Sequence, residues 1–297
     1  MVKPCQSGRN SLSNCNCWCY YSDFATQKTV GCSIMTTTEY VKGHSFLVSK
    51  AFVARGLMRM RRLPSLMLPT IIMPIFFVVA FSGSFASVVQ LEGYGTDKAV
   101  NWMTAWAVLQ GAAFSGMGGG GLTATDLENG FFDRLRISPV NPYVLMAGLV
   151  GYSICRSVIP TTAVLLVAFA FLGAEMPGGL IGFVMVYISA IGLAAIMAFF
   201  VLGIVFIFKS IKSLAIAQIV MFSTMFLSVG QAPLEAIEGW LNGIARFNPI
   251  SHVIRMCRQG FLGEVTWKQT QSGLVAMLLL IIGTAIWARI CYRKVDI

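Results

Sequence analysis

From Leu180 to Phe208 the chain carries no charged residue. That run, with five comparable ones, restricts the fold more than any other feature. A bilayer's hydrocarbon core is about 30 Å thick, and a helix rising about 1.5 Å per residue needs about 20 apolar residues to cross it. Six regions qualify: Leu66–Val89, Trp102–Ala124, Tyr143–Leu172, Leu180–Phe208, Ser213–Gly230 and Leu274–Cys291. Inside hydrocarbon each backbone N–H and C=O must be satisfied within the segment, which leaves the helix as the local structure. Composition agrees. Of 297 residues, 56% are hydrophobic and only 11% charged, against about 25% charged in an ordinary soluble domain. The expected fold is an all-α integral membrane protein with six transmembrane helices. Pro69 and Pro74 fall in the first, with a kink expected near Pro74. Trp102 and Trp106 are placed as interface anchors of the second. The third is longer than a straight crossing requires, so its start is expected to emerge into the cytoplasm.

Lysine and arginine set the orientation. Arg59, Arg61 and Arg62 precede the first span, Arg134 and Arg136 follow the second, Lys209 and Lys212 separate the fourth and fifth, and Arg289, Arg293 and Lys294 close the chain. Positive residues collect in the cytoplasm, so both termini are expected there, and 173–179, with no basic residue, lies outside. The segment 231–273 is also assigned outside although it holds Arg246, Arg255, Arg258 and Lys268; it is therefore read as structured. The net charge of +10 gathers beside apolar runs, which suits anionic lipid headgroups. No nucleic-acid motif accompanies it, so membrane lipid is the expected partner and nucleic acid is not.

Ahead of the spans, 1–34 is polar, holds Cys5, Cys15, Cys17, Cys19 and Cys32, and has neither apolar periodicity nor a signal-peptide core. The cysteine spacing is not that of a zinc site. The segment is read as a disordered tail, or as preceding a true start at Met35. Residues 35–63 form an interfacial amphipathic helix. Leu47, Ala51, Ala54 and Met58 make an apolar stripe beside Arg55, Arg59 and Arg62, a pattern that lies in the headgroup plane. Residues 64–297 make up the six-span domain.

Two stretches between spans carry information. In 125–139, Thr125 and Glu128 fit a capping box, Asp126 and Glu128 would sit at a positive helix end, and Leu127, Phe131 and Leu135 share a face. Pro139 would end that helix. It either rests on its own protein or docks a partner. In 231–273, Leu234, Ile237, Leu241 and Ile244 recur at helical spacing up to Phe247, Asn248-Pro249 breaks the pattern, and a second helix runs to Gly263. Two short helices with a break suggest a re-entrant hairpin in the outer leaflet.

The run Gly116–Gly121 matches a G-x-G-x-x-G pattern, yet lies in a span without a preceding strand. Its glycines either admit a neighbouring helix closely or let the span unwind where water enters. Arg156 is the strong charge within an apolar run, available to an anionic substrate, to snorkelling or to sealing against a helix. Gly116, Gly118, Gly119, Arg156, Met221 and Met225 are the candidate substrate path. His44 and His252 fall on opposite sides, no metal set is present, and no Walker motif or catalytic constellation appears. The chain is read as no enzyme, with no cofactor of its own.

The stretches Glu128-Asn129-Gly130-Phe131-Phe132-Asp133-Arg134-Leu135 with Ser138-Pro139-Val140, and Ala232-Pro233-Leu234, Gly239-Trp240-Leu241, Phe247-Asn248-Pro249-Ile250, Arg258 and Gly263, resemble type-2 permeases of ATP-binding-cassette transporters. The likeness covers roughly 40–297 and leans towards drug exporters of the daunorubicin-resistance type. It implies a cytoplasmic coupling helix using Asp126, Glu128, Gly130, Phe131, Phe132, Arg134, Leu135 and Pro139. It also implies an outer re-entrant gate at Pro233, Trp240, Asn248, Pro249, Arg258 and Gly263. ATP and Mg would be bound by a separate cytoplasmic ATPase subunit, and a second permease chain would complete a homodimer or heterodimer. The expectation is export of a drug or lipid across a bacterial plasma membrane. The alternative is an ATP-independent secondary carrier or channel.

Overall fold

Helices follow the apolar runs because each satisfies its own backbone. The computed structural model describes residues 45–90, 93–132, 134, 141–263 and 265–294; the tail 1–34, the first part of 35–63, and Leu135, Pro139 and the other coupling-segment residues beyond Arg134 lie outside these. Among the described residues there are nine helices and no strand. They are α1 (Ser45–Arg62), α2 (Leu68–Ser84), α3 (Ala99–Glu128), α4 (Pro142–Ala170), α5 (Gly179–Phe208), α6 (Ser213–Phe226), α7 (Trp240–Phe247), α8 (Pro249–Leu262) and α9 (Trp267–Arg293).

Of the six expected spans, three are, among the described residues, helices both long and apolar enough to cross a bilayer: α4, α5 and α9. Helix α3 has the length, but its glycines, threonines, Asn101 and Gln110 dilute its apolarity. The first apolar run breaks into a 3-10 turn at Pro64–Leu66, the 17-residue α2 and a second turn at Val88–Gln90. The fifth is the 14-residue α6.

Helix α3 is the axis of the molecule. Nearly all of it is buried, and α2, α4, α5, α6 and α8 pack around it. Trp102 and Trp106 therefore correct the anchor expectation. Trp106 is fully buried, with Phe77, Phe81 and Phe226 meeting it edge-to-face at centroid distances of 5.6, 5.7 and 5.2 Å. Such pairs add about 0.5–1.5 kcal/mol each beyond burial, and they hold the ring among protein side chains, away from lipid.

The glycine run stays helical throughout. A Cβ at Gly116 would lie 2.6 Å from the Ala194 carbonyl oxygen, and one at Gly119 would lie 2.7 Å from that of Leu149. Close approach by α5 and α4 is thus what these glycines serve, and the span does not unwind. Pro74 and Pro160, each inside a helix, both abut Gly111.

Helix α1 packs along the opening turns of α4. Ser49 Oγ donates to the Val144 carbonyl at 2.9 Å, Gly148 faces Phe52, and Gly56 faces the Tyr152 ring. Leu47, Ala51, Ala54 and Met58, the expected lipid-facing stripe, are exposed.

Candidate functional site

Two polar joints lie at opposite ends of α3. The first corrects the capping-box reading. Thr125 and Glu128 belong to the last turn of α3, where the Thr125 hydroxyl donates back to Gly121 at 2.9 Å. Asn129 caps the helix, its N–H donating to Thr125 at 3.0 Å, and Gly130 follows at φ +65°. That is the left-handed residue with which helices commonly stop. The acidic pair therefore occupies the negative end of a long helix, where the dipole disfavours it.

Specific partners compensate. Asp126, buried, accepts both prongs of Arg55 from α1 at 2.6 and 2.7 Å. Glu128 is exposed, and its Oε1 accepts from the Ile211 N–H at 2.7 Å and the Ser210 hydroxyl at 2.9 Å. The backbone N–H first, then the hydroxyl, hold its carboxyl below the ordinary glutamate value, helped by Lys212. Glu128 thereby ties the loop between α5 and α6 to the end of α3. Lys209 in that loop has φ +51° and closes α5.

Beyond Gly130 the helical backbone resumes at Phe131, Phe132 and Arg134. The two phenylalanines diverge. Phe131 is 36% exposed, and its ring lies 4.3 Å from the Arg55 guanidinium carbon. Phe132 is buried against Phe206 and Tyr292 at 5.9 and 6.3 Å. Arg134 is exposed. Leu127 lies before the Gly130 break, so it does not share one continuous helix with Phe131. Arg55, expected to face lipid headgroups, is instead turned onto Asp126; Ser210, Ile211, Phe206 and Tyr292 were not singled out from sequence, since all reach the joint from distant parts of the chain.

Helices α3, α4 and α5 overhang α2 at this end. Met67, at the start of α2, receives Arg156 Nε at its sulfur at 3.1 Å, and Gly118 lies against the same guanidinium. From Gly118 to Glu128, α3 continues for about 15 Å. Arg156 also hydrogen-bonds Tyr152. Met221 and Met225 are buried on α6, so the six substrate-path candidates sit in helix packing within this chain.

The second joint holds the hairpin. Helical spacing from Leu234 to Phe247 does not form one helix. A 3-10 turn at Leu234–Ala236 is followed by Gly239 at φ +67°, and α7 begins only at Trp240. Asn248 caps α8, accepting from the Ile250 N–H at 3.0 Å, while its amide donates to Thr224 and Leu227 at the end of α6 at 2.8 and 3.2 Å. Pro249 occupies the first turn, where its missing N–H costs nothing. Gly263 ends α8 at φ +80°. Arg258, almost fully buried, donates to the Val229 and Gly230 carbonyls at 2.9 and 2.7 Å and stacks 3.5 Å over Trp102. Pro233 abuts Gly93; Trp240 is exposed. The backbones of Gly182 and Gly260 touch, joining α8 to α5.

An all-helical bundle with apolar crossing helices defines a multi-pass membrane protein. The model of the ABC-2 type transporter family matches residues 48–262, and the chain belongs to that family, the membrane components of ABC transporters. It is 25% identical over 238 residues to the daunorubicin resistance ABC transporter permease protein DrrB1 of Streptomyces coeruleorubidus, covering 75% of this chain and 80% of that one. It is also 25% identical to the putative transport permease ycf38 of Pyropia yezoensis, over 78% of this chain and 79% of that one. The same holds for ycf38 of Porphyra purpurea, over 75% and 76%.

Proposed function

We propose that this chain is the permease subunit of an ATP-driven exporter that moves a drug or lipid-like amphiphile out of the cytoplasm. A separate cytoplasmic ATPase subunit binds ATP and Mg, and a second permease chain completes the pathway. In this reading the six apolar runs all cross the bilayer of a bacterial plasma membrane, with both termini cytoplasmic. Helices α2 and α6 then mark its thickness, and the overhanging ends of α3, α4 and α5 project into the cytoplasm as a platform.

The observation that carries the reading is the Glu128 joint. The segment after Gly130 is linked through Arg55, Glu128 and Phe132 to α1, the α5–α6 loop and α9. With Phe206 on α5 counted as well, a push on that segment would reach α1, α5, the α5–α6 loop and α9 at once. Exposed Phe131 and Arg134 offer the grip; a buried aromatic is worth about 1.5–3 kcal/mol, against about 0–1 kcal/mol for an exposed ion pair. The test is transport by the purified permease–ATPase complex in proteoliposomes. Glu128→Lys, Arg134→Glu and Phe131→Ala are expected to fold yet hydrolyse ATP without exporting. Normal export by all three would overturn the reading.

A further inference from the structure

Helix α8 presents Arg255, Arg258 and Leu262 on one face, at spacings of three and four residues. That face walls an open cleft of about 310 Å³, lined also by Trp102, Glu235 and Gln269. Arginine has five N–H donors. In Arg258 two are used on the Val229 and Gly230 carbonyls, its flat face rests on Trp102, and its buried Nε has no partner among the described residues. Among the described residues no carboxylate is within ion-pair distance of Arg255 or Arg258. Among the described residues that line it, two arginines stand against the single Glu235. A buried guanidinium with an unused donor, and with no counter-charge among the described residues, is costly unless an acceptor meets it.

We propose that this cleft binds the oxyanion of a phosphate or phosphoester. A guanidinium fork matches a phosphate in shape as well as charge. The volume is at the low end for ligand sites, enough for a phosphate head and too small to enclose a drug-sized molecule with its apolar part. The cleft lies beside Trp102, one helical turn from Trp106, which packs against Phe81 near the end of α2. In a chain whose α2 crosses the bilayer this is the headgroup level of the outer leaflet. The oxyanion chemistry does not depend on the export reading; only the lipid source does.

The test is binding to the full chain in neutral detergent, without ATP or ATPase, so it stands or falls apart from export. Inorganic phosphate, dihexanoyl phosphatidic acid and, as a phosphate-free control, dihexanoylglycerol are titrated against tryptophan fluorescence, with Trp102→Phe to identify the reporter. Saturable binding by one or both phosphate probes is expected. Phosphatidic acid alone marks a lipid headgroup as the source, and inorganic phosphate alone marks free phosphate. Arg255→Gln and Gln269→Glu, which leave the Arg258 backbone contacts in place, should weaken binding by about ten-fold or more, the effect of losing one charge-assisted hydrogen bond. Glu235→Gln should tighten it. No binding by either phosphate probe, equal binding of dihexanoylglycerol, or identical affinity in all three variants would overturn the proposal.

Discussion

Arg55 grips both carboxylate oxygens of Asp126 across 71 residues of sequence, and the two ends of the pair differ in exposure. The Asp126 side chain is 7% exposed and that of Arg55 37%. Removing either partner therefore has unequal consequences. Arg55→Leu strands a buried carboxylate at the negative end of α3, and about 2–3 kcal/mol of destabilisation is expected, below the range for fully buried pairs because Arg55 is partly solvated. Asp126→Leu leaves an arginine able to reach water, at about 1 kcal/mol. The double variant should cost less than the sum, since neither charge is left alone. Thermal unfolding of the purified variants checks the order; equal single effects would show that the pair is solvated.

Glu128 gives the joint a pH dependence. Its carboxyl is held below the ordinary value of 4.5 by the Ile211 N–H, then by Ser210. A depressed carboxylate contributes its full anchoring above the unfolded value and loses it as pH falls through the folded one. The α5–α6 loop should thus stay anchored at pH 5 and above, and open progressively below about pH 4.5. Hydrogen-exchange protection of the Ile211 amide, corrected for intrinsic rate, reads this directly. In Glu128→Ala the protection should be absent at every pH.

Much of this could be read from the apolar runs: helices α4, α5 and α8 fall within two residues of their expected bounds, while α9 starts seven residues before Leu274. The joint could not. Thr125-x-x-Glu128 is a start signal, and Asn129-Gly130 a stop signal, in the same six residues. The stop prevails because α3 enters with its hydrogen-bond ladder already built, so continuing costs less than a new nucleus. Arg55, Ser210 and Tyr292 reach the site only through tertiary packing, which no local period encodes. Trp102 and Trp106 failed as anchors for a related reason: composition says that tryptophan suits an interface, while only the fold says that α3 is surrounded.

The glycine run supplies a graded series. A methyl at Gly116 or Gly119 meets backbone carbonyl oxygens at 2.6 and 2.7 Å, whereas one at Gly121 meets only Leu214 Cδ1 at 3.6 Å. Gly116→Ala and Gly119→Ala should force α5 and α4 outwards, costing about 1–3 kcal/mol. Gly121→Ala should gain about 0.5–1 kcal/mol from helix propensity alone. Melting temperatures of the three variants test the seam, and a uniform gain would mean that these glycines serve no close approach.

Asn248 separates capping from tethering. As an N-cap alone it would be replaced almost without loss by aspartate, and alanine would cost about 1 kcal/mol. Its amide, however, also donates to Thr224 and Leu227 on α6, and each such bond contributes about 0.5–1.5 kcal/mol. Asn248→Ala is therefore expected to cost about 2–3 kcal/mol. Asn248→Asp keeps the acceptor for the Ile250 N–H but turns an anion towards two carbonyl oxygens that have lost their donor, so it should be at least as damaging as alanine. Unfolding of the two variants side by side decides it. Aspartate behaving like wild type would reduce Asn248 to a cap and release the end of α6 from the hairpin.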